Sequence, residues 1–251
     1  MLVKSQAKYI QSLSQKKFRD EQNAFVAEGP KIINELLSAG NVEMMNLYGL
    51  KNWIDDNAKL PRSFHSNQIT EIRESELERI SFLQTPNNVL AVFKKPFFGK
   101  PSFENKITLL LDGIQDPGNI GTIVRTADWF GVENIICSKE SADVFNPKTV
   151  QSTMGSIARV QVVYEDLKLF TDHHSGIPVY ATALNGKNLF EMNAVKEAFI
   201  LIGNESKGIN KDLLELAEQK ITIPKTGEAE SLNAAVAAGI VLAHLIRVNS
   251  S

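Results

Sequence analysis

The stretch Leu109-Leu110-Leu111-Asp112-Gly113-Ile114-Gln115-Asp116-Pro117-Gly118-Asn119-Ile120-Gly121-Thr122-Ile123-Val124-Arg125 decides the fold. An apolar run collapses there into turn residues and then into helical spacing. Ile107 to Leu111 suits a short strand buried on both faces, and Asp116-Pro117-Gly118 is turn chemistry. Asn119 sits where a helix N-cap is wanted. Beyond it Ile120, Ile123, Val124 and Ala127 share one helical face, and Thr122, Arg125, Thr126 and Trp129 share another that is not the core face. A loop leaving a strand and entering a helix offers backbone N–H groups to a ligand, so an ordinary crossover and a binding site share this geometry.

The same grammar recurs along the chain after a break at Lys94-Lys95-Pro96-Phe97-Phe98-Gly99-Lys100-Pro101, which reads as a linker. Beyond it, strand-like runs at Ile107 to Leu111, Asn134 to Cys137, Val160 to Val163, Val179 to Ala183, Phe199 to Ile202 and Ile221 to Ile223 alternate with helical segments. Alternation of this kind predicts an α/β domain with a mainly parallel sheet and helices on both faces. Before the linker, a helix over Lys4 to Phe18, a short strand over Phe25 to Gly29, a helix from Pro30 to about Gly40 and a closing strand at Val89 to Phe93 predict a smaller α/β domain. The expected division is therefore 1–98 and 99–251.

The 251 residues carry a net charge of −2, which argues against nucleic-acid binding by bulk charge alone. The charge is uneven. Residues 1–98 hold 13 Lys and Arg against 11 Asp and Glu, and the remainder holds 14 against 18. Lys4, Lys8, Lys16, Lys17 and Arg19 in the first twenty residues are opposed only by Asp20, with Tyr9 and Phe18 interleaved. Such a basic start could meet an RNA phosphate backbone or could simply be a solvated helix face. Those twenty residues hold no apolar run, and the small-residue helix near the C-terminus carries His244 and Arg247, short of the ~20 apolar residues of a span. The expectation is a soluble, cytoplasmic chain with no membrane segment. A single cysteine, Cys137, rules out an intrachain disulfide or cysteine zinc cluster, and His173-His174 falls in an expected loop without partners at ligand spacing, so no metal is expected.

Two further stretches belong with the first. In Phe199-Ile200-Leu201-Ile202-Gly203-Asn204-Glu205-Ser206-Lys207-Gly208 a buried strand ends in a glycine followed by a carboxylate. Gly203 permits close backbone approach, and Glu205 would stand at the carboxyl end of the strand, where open α/β sheets bind ligands; an ordinary solvated turn fits the same residues. In Ile221-Thr222-Ile223-Pro224 followed by Ser231-Leu232-Asn233-Ala234-Ala235, Ser231 is a candidate helix cap, and the alanine- and glycine-rich helix after it invites close packing of another backbone.

Asn119 with Arg125, Gly203-Asn204-Glu205-Ser206-Lys207-Gly208, and Ile223-Pro224 with Ser231-Leu232-Asn233 resemble, in order, the three motifs of the SpoU (TrmH-like) family of RNA ribose 2'-O-methyltransferases in the SPOUT superfamily. The match runs from about 105 to 248. The segment before it, with Phe25-Val26-Ala27-Glu28-Gly29 and Thr85-Pro86-Asn87-Asn88-Val89, resembles that family's smaller substrate-binding domain, related to ribosomal protein L30e. The resemblance implies a deep trefoil knot, a homodimer with the active site completed at the subunit interface, and S-adenosyl-L-methionine held mainly by backbone around Ala183, Leu184, Gly203, Asn204, Ile223, Pro224 and Leu232. It also implies a catalytic set of Arg125, Asn119, Glu205, Ser231 and Asn233. At Gln151-Ser152-Thr153-Met154-Gly155 relatives often begin with arginine, and glutamine stands there instead.

Methyl transfer to a ribose hydroxyl needs a sulfonium donor, an aligned oxygen and help with a poorly acidic proton, and no metal. A guanidinium stays protonated at ordinary pH, so Arg125 suits holding phosphate and stabilising developing negative charge better than accepting a proton. A nicotinamide dehydrogenase fits poorly, because Gly113 to Gly121 lacks the Gly-x-Gly-x-x-Gly spacing. A non-catalytic RNA-binding or ribosome-assembly factor would share the fold but has no use for cofactor loops. Ribosomal RNA is favoured over transfer RNA by analogy with enzymes carrying the extra L30e-like domain.

Overall fold

The computed structural model describes residues 1–57 and 68–246; Arg247 lies outside the described residues. Contacts group the chain into two compact units, one of Met1–Phe98 with Phe145–Ala158 and one of Gly99–Val144 with Arg159 onward. The segment 145–158, which the sequence pattern assigns to the second half, is thus grouped with the first.

The first unit opens with α1 (Lys4–Ser12) and α2 (Lys16–Gln22) where one continuous helix is expected. The break has a visible cause. Gln15 is extended, and the buried guanidinium of Arg19 donates to the carbonyls of Leu13 at 2.8 Å and Ser14 at 2.7 Å, which the end of α1 leaves without helical partners. β1 (Ala24–Glu28) and α3 (Pro30–Ser38) follow, the proline standing at the first helical turn, where its missing N–H costs nothing. Then come β2 (Met44–Leu50), α4 (Lys51–Asp56), β3 (Ile69–Ile72), α5 (Glu74–Ile80) and β4 (Val89–Lys94). Among the described residues these strands form one sheet in the order β1-β4-β2-β3, with β4 antiparallel to both neighbours and β3 parallel to β2. Ile10, Leu13, Val26, Tyr48, Leu77, Ile80 and Val92 fill its core, where burial, with Tyr9 close by, pushes the Tyr48 hydroxyl up to about 12.

The chain then enters the second unit through β5 (Ile107–Asp112), α6 (Pro117–Trp129) and β6 (Asn134–Cys137). It returns to the first with α7 (Pro147–Thr153), where the Phe145 ring lies 5.3 Å from that of Phe25 and Asn41 Nδ2 donates to the Ala158 carbonyl at 2.8 Å. The second unit resumes with β7 (Gln161–Tyr164), α8 (Leu167–His173), β8 (Val179–Asn188), β9 (Ala198–Gly203), α9 (Lys211–Glu215), β10 (Gln219–Thr222) and α10 (Ala234–Leu245). Its strands run parallel in the order β10-β8-β9-β5-β6-β7. Leu110, Ile136, Phe199 and Leu201 pack with Leu167, Phe170 and Leu213 of α8 and α9. The period of two sends Leu109, Leu111, Ile200 and Ile202, also buried, to the opposite face. Such residues read as continuous apolar runs because both faces are covered, and truncating any of these leucines to alanine costs about 2–5 kcal/mol. Cys137 is buried in this sheet, and burial pushes its thiol up, so it packs as a small hydrophobe. Among the described residues no helix is long and apolar enough to cross a membrane.

Candidate active site

From β5 the chain lays down β6 and β7 on one side, whereas β9, β8 and β10 occupy the other, so the strand order reverses between β5 and β9. In an open parallel sheet, the loops leaving the carboxyl ends of two such strands diverge and leave a crevice. Asp112-Gly113 and Gly203-Asn204 stand at that edge, with Asp112 paired to Gly203.

Four side chains tie these loops together. Asn204 Nδ2 donates to the Gly113 carbonyl at 2.8 Å, while its Oδ1 accepts from the N–H groups of Ser206 at 2.9 Å and Lys207 at 3.0 Å. One amide thereby folds the turn after β9 and pins it to the end of β5. Asn119 Nδ2 donates to Glu205 Oε1, and Asn233 Nδ2 donates to Asn119 Oδ1 at 2.9 Å. Asn233 Oδ1 in turn accepts from Ala235 N at 2.9 Å and Val236 N at 3.3 Å, capping α10. The result is a polarised chain from the first amides of α10 through two carboxamides to a carboxylate, each link strengthening the next. Each amide group is oriented by its neighbour, and the second oxygen of the partly buried Glu205 has, among the described residues, no hydrogen-bond donor.

Three expectations need correction here. Asn119 is not the cap of α6: Asp116 is, accepting from Asn119 N at 3.0 Å with Pro117 in the first turn, and this frees the Asn119 carboxamide for the link just described. Ser231 does not cap α10; it is exposed and irregular two residues ahead of Asn233, which does. Residues His173 and His174 do not form a loop. His173 ends α8 and His174 packs its ring against Phe103 and Phe170 at 4.9 and 4.5 Å. Among the described residues no three His, Cys, Asp or Glu side chains are grouped as a metal site.

The network gathers Asn119, Glu205 and Asn233 but not Arg125. Arg125 lies six residues further along α6, about 9 Å along the axis at 1.5 Å per residue, exposed and, among the described residues, without a hydrogen bond or ion pair. Sequence reasoning missed two supports. Asp112 Oδ2 accepts from Asn210 N at 2.7 Å and Ser138 Oγ from Gly113 N at 2.9 Å, a strand-terminal acid and a hydroxyl that hold the crevice walls. An acid as the last residue of a buried strand was the available signal for the first.

The expected cofactor residues line the same edge of the sheet. β8 pairs with β10 through Lys220↔Ala181 and then Ile221↔Lys187, so residues 182–186 bow out of the ladder, carrying Ala183 and the exposed Leu184. Thr222 Oγ1 donates to the Leu184 carbonyl at 3.1 Å, joining this bow to the segment that continues through Ile223 and Pro224. In the first unit Lys4, Lys8, Lys16 and Lys17 are exposed, Lys16 at 2.9 Å from Asp20 and Lys17 at 3.9 Å from Glu21. Arg19 is withdrawn from the RNA-facing set, because its guanidinium is buried on backbone carbonyls, and Tyr9 packs its ring against the core.

A parallel α/β unit with a polar network at its switch point, joined to a small mixed-sheet unit, defines the class. The sequence matches the SpoU rRNA Methylase family over residues 106–243 and the MRM3-like substrate binding domain over residues 4–91. The chain belongs to the SpoU rRNA methylase family. It is 34% identical over 237 residues to the 23S rRNA (guanosine(2553)-2'-O)-methyltransferase RlmP of Bacillus subtilis, covering 93% of this chain and 92% of the relative. An AdoMet-bound rRNA methyltransferase from Sinorhizobium meliloti superposes with a TM-score of 0.84 at 30% identity, covering 98% of this chain and 95% of that one. The SpoU methyltransferase AviRb from Streptomyces viridochromogenes, solved with AdoMet, gives 0.84 at 25% identity over 97% of both chains.

Proposed function

We propose that this chain transfers a methyl group from S-adenosyl-L-methionine to a ribose 2'-hydroxyl of ribosomal RNA. The observation that carries the reading is the Asn233–Asn119–Glu205 chain, which aims a carboxylate into the crevice at the switch point of a SpoU-family sheet. The relatives named above, one described as a 23S rRNA 2'-O-methyltransferase and two solved with AdoMet, support the substrate and the donor.

The residues present fit that donor. A Cβ on Gly203 would lie 2.5 Å from the Gly208 carbonyl carbon, and one on Gly186 would lie 2.6 Å from the Lys220 carbonyl oxygen, so at both places backbone packs directly on backbone and fixes the main chain at the sheet edge. Leu184, 73% exposed, and Leu232, 44% exposed, offer apolar surface beside that backbone. Ala183, Leu184, Gly203, Asn204, Ile223, Pro224 and Leu232 would hold the nucleoside. When bound, S-adenosylmethionine supplies an electrophilic methyl on a positive sulfur. Glu205 offers its outer oxygen to the ribose hydroxyl, Asn119 and Asn233 fix that carboxylate, and Ser231 lies on the strand of chain leading to them. Arg125 holds the RNA phosphate and stabilises negative charge developing on the attacking oxygen.

Our reading extends to a homodimer. Val236, Ile240 and Ala243 form one stripe along α10, with Val236 50% exposed, and Arg125 stands outside the network of its own chain, as a residue serving a partner's crevice would. It extends also to a trefoil knot around α10, supported by the bonds from Val195 N to the Leu245 carbonyl and between His244 Nε2 and the Met192 carbonyl, both at 2.9 Å. Residues 1–98 supply RNA affinity through Lys4, Lys8, Lys16 and Lys17, no metal takes part, and the protein works in the cytoplasm. Mapping 2'-O-methyl positions in total RNA with and without the gene tests the reading: one ribosomal site should lose its methyl group. Loss confined to a transfer RNA would replace the substrate, and no loss together with no methyl transfer in vitro would leave a non-catalytic binder.

A further inference from the structure

The first unit holds a cavity of 330 Å³ that the catalytic reading does not use. Val26 and Glu28 of β1, Phe82 and Gln84 from the chain after α5, and Gln151 and Ser152 of α7 line it. Its volume is at the small end of the range for ligand sites, about 300–1,000 Å³, and fits one planar heterocycle rather than a dinucleotide.

Glu28 gives the cavity its chemistry. The residue is 4% exposed, and its carboxylate accepts from Ser81 Oγ at 2.5 Å on one oxygen and from Phe82 N at 2.8 Å on the other. An ionised carboxylate has about four acceptor positions, so each oxygen retains one. Burial holds its pKa above the ordinary carboxyl range, only partly offset by these two donors. A buried carboxylate is costly unless its acceptor positions are used. Two adjacent acceptors in a plane ask for two adjacent N–H donors. Guanine presents that pair on its base-pairing edge, as a ring N–H and an exocyclic amino group. Adenine presents one donor beside an acceptor, and cytosine presents one amino group. Phe82 and Val26 supply apolar contact for a ring, and Gln84, Gln151 and Ser152 can meet its remaining polar atoms. Lys148, exposed at the same cavity, suits the adjoining phosphate.

We infer that this cavity receives one unstacked guanine of the RNA, with Glu28 accepting from its paired N–H donors. The inference rests on the proposed RNA substrate, but the guanine sits in the first unit and is not the nucleotide whose ribose is methylated. It makes residues 1–98 with 145–158 a reader of sequence in addition to a basic surface.

The test titrates full-length protein with 5'-GMP, 5'-IMP, 5'-AMP and inorganic phosphate, following backbone amide NMR signals of Phe82, Leu83 and Ser152. GMP should shift them, IMP, lacking the amino group, should bind about fivefold to a hundredfold more weakly, and AMP should bind no better than IMP. Glu28→Gln should erase the preference for GMP, and Ser152→Phe, which fills the cavity while keeping the Glu28 carboxylate, should abolish the shifts of Phe82 and Leu83 with the fold intact. Equal binding of GMP and AMP, identical shifts with phosphate alone, or no shift with about 10 mM GMP, a bound on affinities weaker than about 3 kcal/mol, would each overturn it. Methyl transfer to ribosomal RNA is measured separately: if it is absent while GMP still selects the cavity, the enzymatic reading falls and the guanine site stands.

Discussion

Glu28 and Glu205 occupy similar positions in two different regions, and their surroundings make them opposites. Each stands at or just past the end of an apolar strand with a glycine within two residues: Phe25-Val26-Ala27-Glu28-Gly29 in the first unit, Phe199-Ile200-Leu201-Ile202-Gly203-Asn204-Glu205 in the second. Glu28 is the last residue of β1 itself, so its side chain turns into the unit and ties down Ser81 and Phe82 of its own fold. Glu205 comes two residues after β9 has ended, past a turn folded by Asn204, so its side chain leaves the sheet edge and meets a side chain on α6. A shift of two residues relative to the end of the ladder separates a carboxylate held inside its own unit, at the wall of a small cavity, from one set at the open edge of the sheet.

Variants should pull that contrast apart. The largest effect belongs to Arg125→Ala, which removes an exposed side chain without packing partners: single-turnover methylation should fall about a hundredfold or more, with cofactor affinity in a calorimetric titration nearly unchanged. Arg125→Lys should rescue poorly, since a point charge does not reproduce the planar fork. Full activity in Arg125→Ala would remove it from the chemistry.

Gly203→Ala tests the crevice backbone. With its Cβ 2.5 Å from Gly208, the loop must move, and cofactor affinity should drop about tenfold, read by the same titration. Unchanged affinity would show that the 203–208 turn does not line the cofactor.

The two carboxylates should then separate by readout. Glu28→Ala leaves Ser81 Oγ and Phe82 N without their acceptor in a part-buried place, a cost of about 1–3 kcal/mol, seen as a fall of several degrees in the unfolding midpoint. Glu205→Ala should barely move that midpoint, because the side chain is at the solvent edge, and should lower methyl transfer instead. If both variants lost stability alike, the contrast drawn between them would be wrong.

The smallest effects are in pH. Burial raises the Glu28 pKa, so between the ordinary carboxyl value and the raised one the native state keeps a proton that the unfolded chain has released; stability falls as pH rises through that window. Asp20 has the opposite sign. Its hydrogen bond to Lys95 at 2.6 Å, aided by Lys16, lowers its pKa, so its contribution is present above the ordinary value and lost as pH falls through the lowered one. Denaturation midpoints across pH 3 to 7 should flatten at the upper part of this range in Glu28→Gln and at the acid end in Asp20→Asn.

Most of the second unit could be read from sequence, because an apolar run bounded by turn residues on both sides has few other solutions. The motifs of the first two site loops were visible for the same reason, since each begins where a buried strand ends, whereas the third follows β10, of which only Ile221 is buried. What stayed hidden depends on distant partners. Arg19 looks like every other early cation until the carbonyls of Leu13 and Ser14 are seen to turn back on it. Asn119 looks like a helix cap until Asp116, directly before Pro117, takes that position. The bow at residues 182–186 follows from pairing with β10, more than thirty residues on, and no local period announces it. The allegiance of 145–158 to the first unit rests on ring contacts between Phe145 and Phe25, 120 residues apart.

That allegiance has a consequence for any attempt to cut the protein apart. A nick between Phe98 and Gly99 severs only one of the three places where the chain passes from one unit to the other. The piece 1–98 would remain clasped through Phe25, Phe145 and Asn41 to the helix that the longer piece carries, and the piece 99–251 made alone would expose the surface of that helix which β1 normally covers. The two halves of the gene, expressed as separate polypeptides, should therefore find each other as complementing fragments, with a shared helix as the clasp.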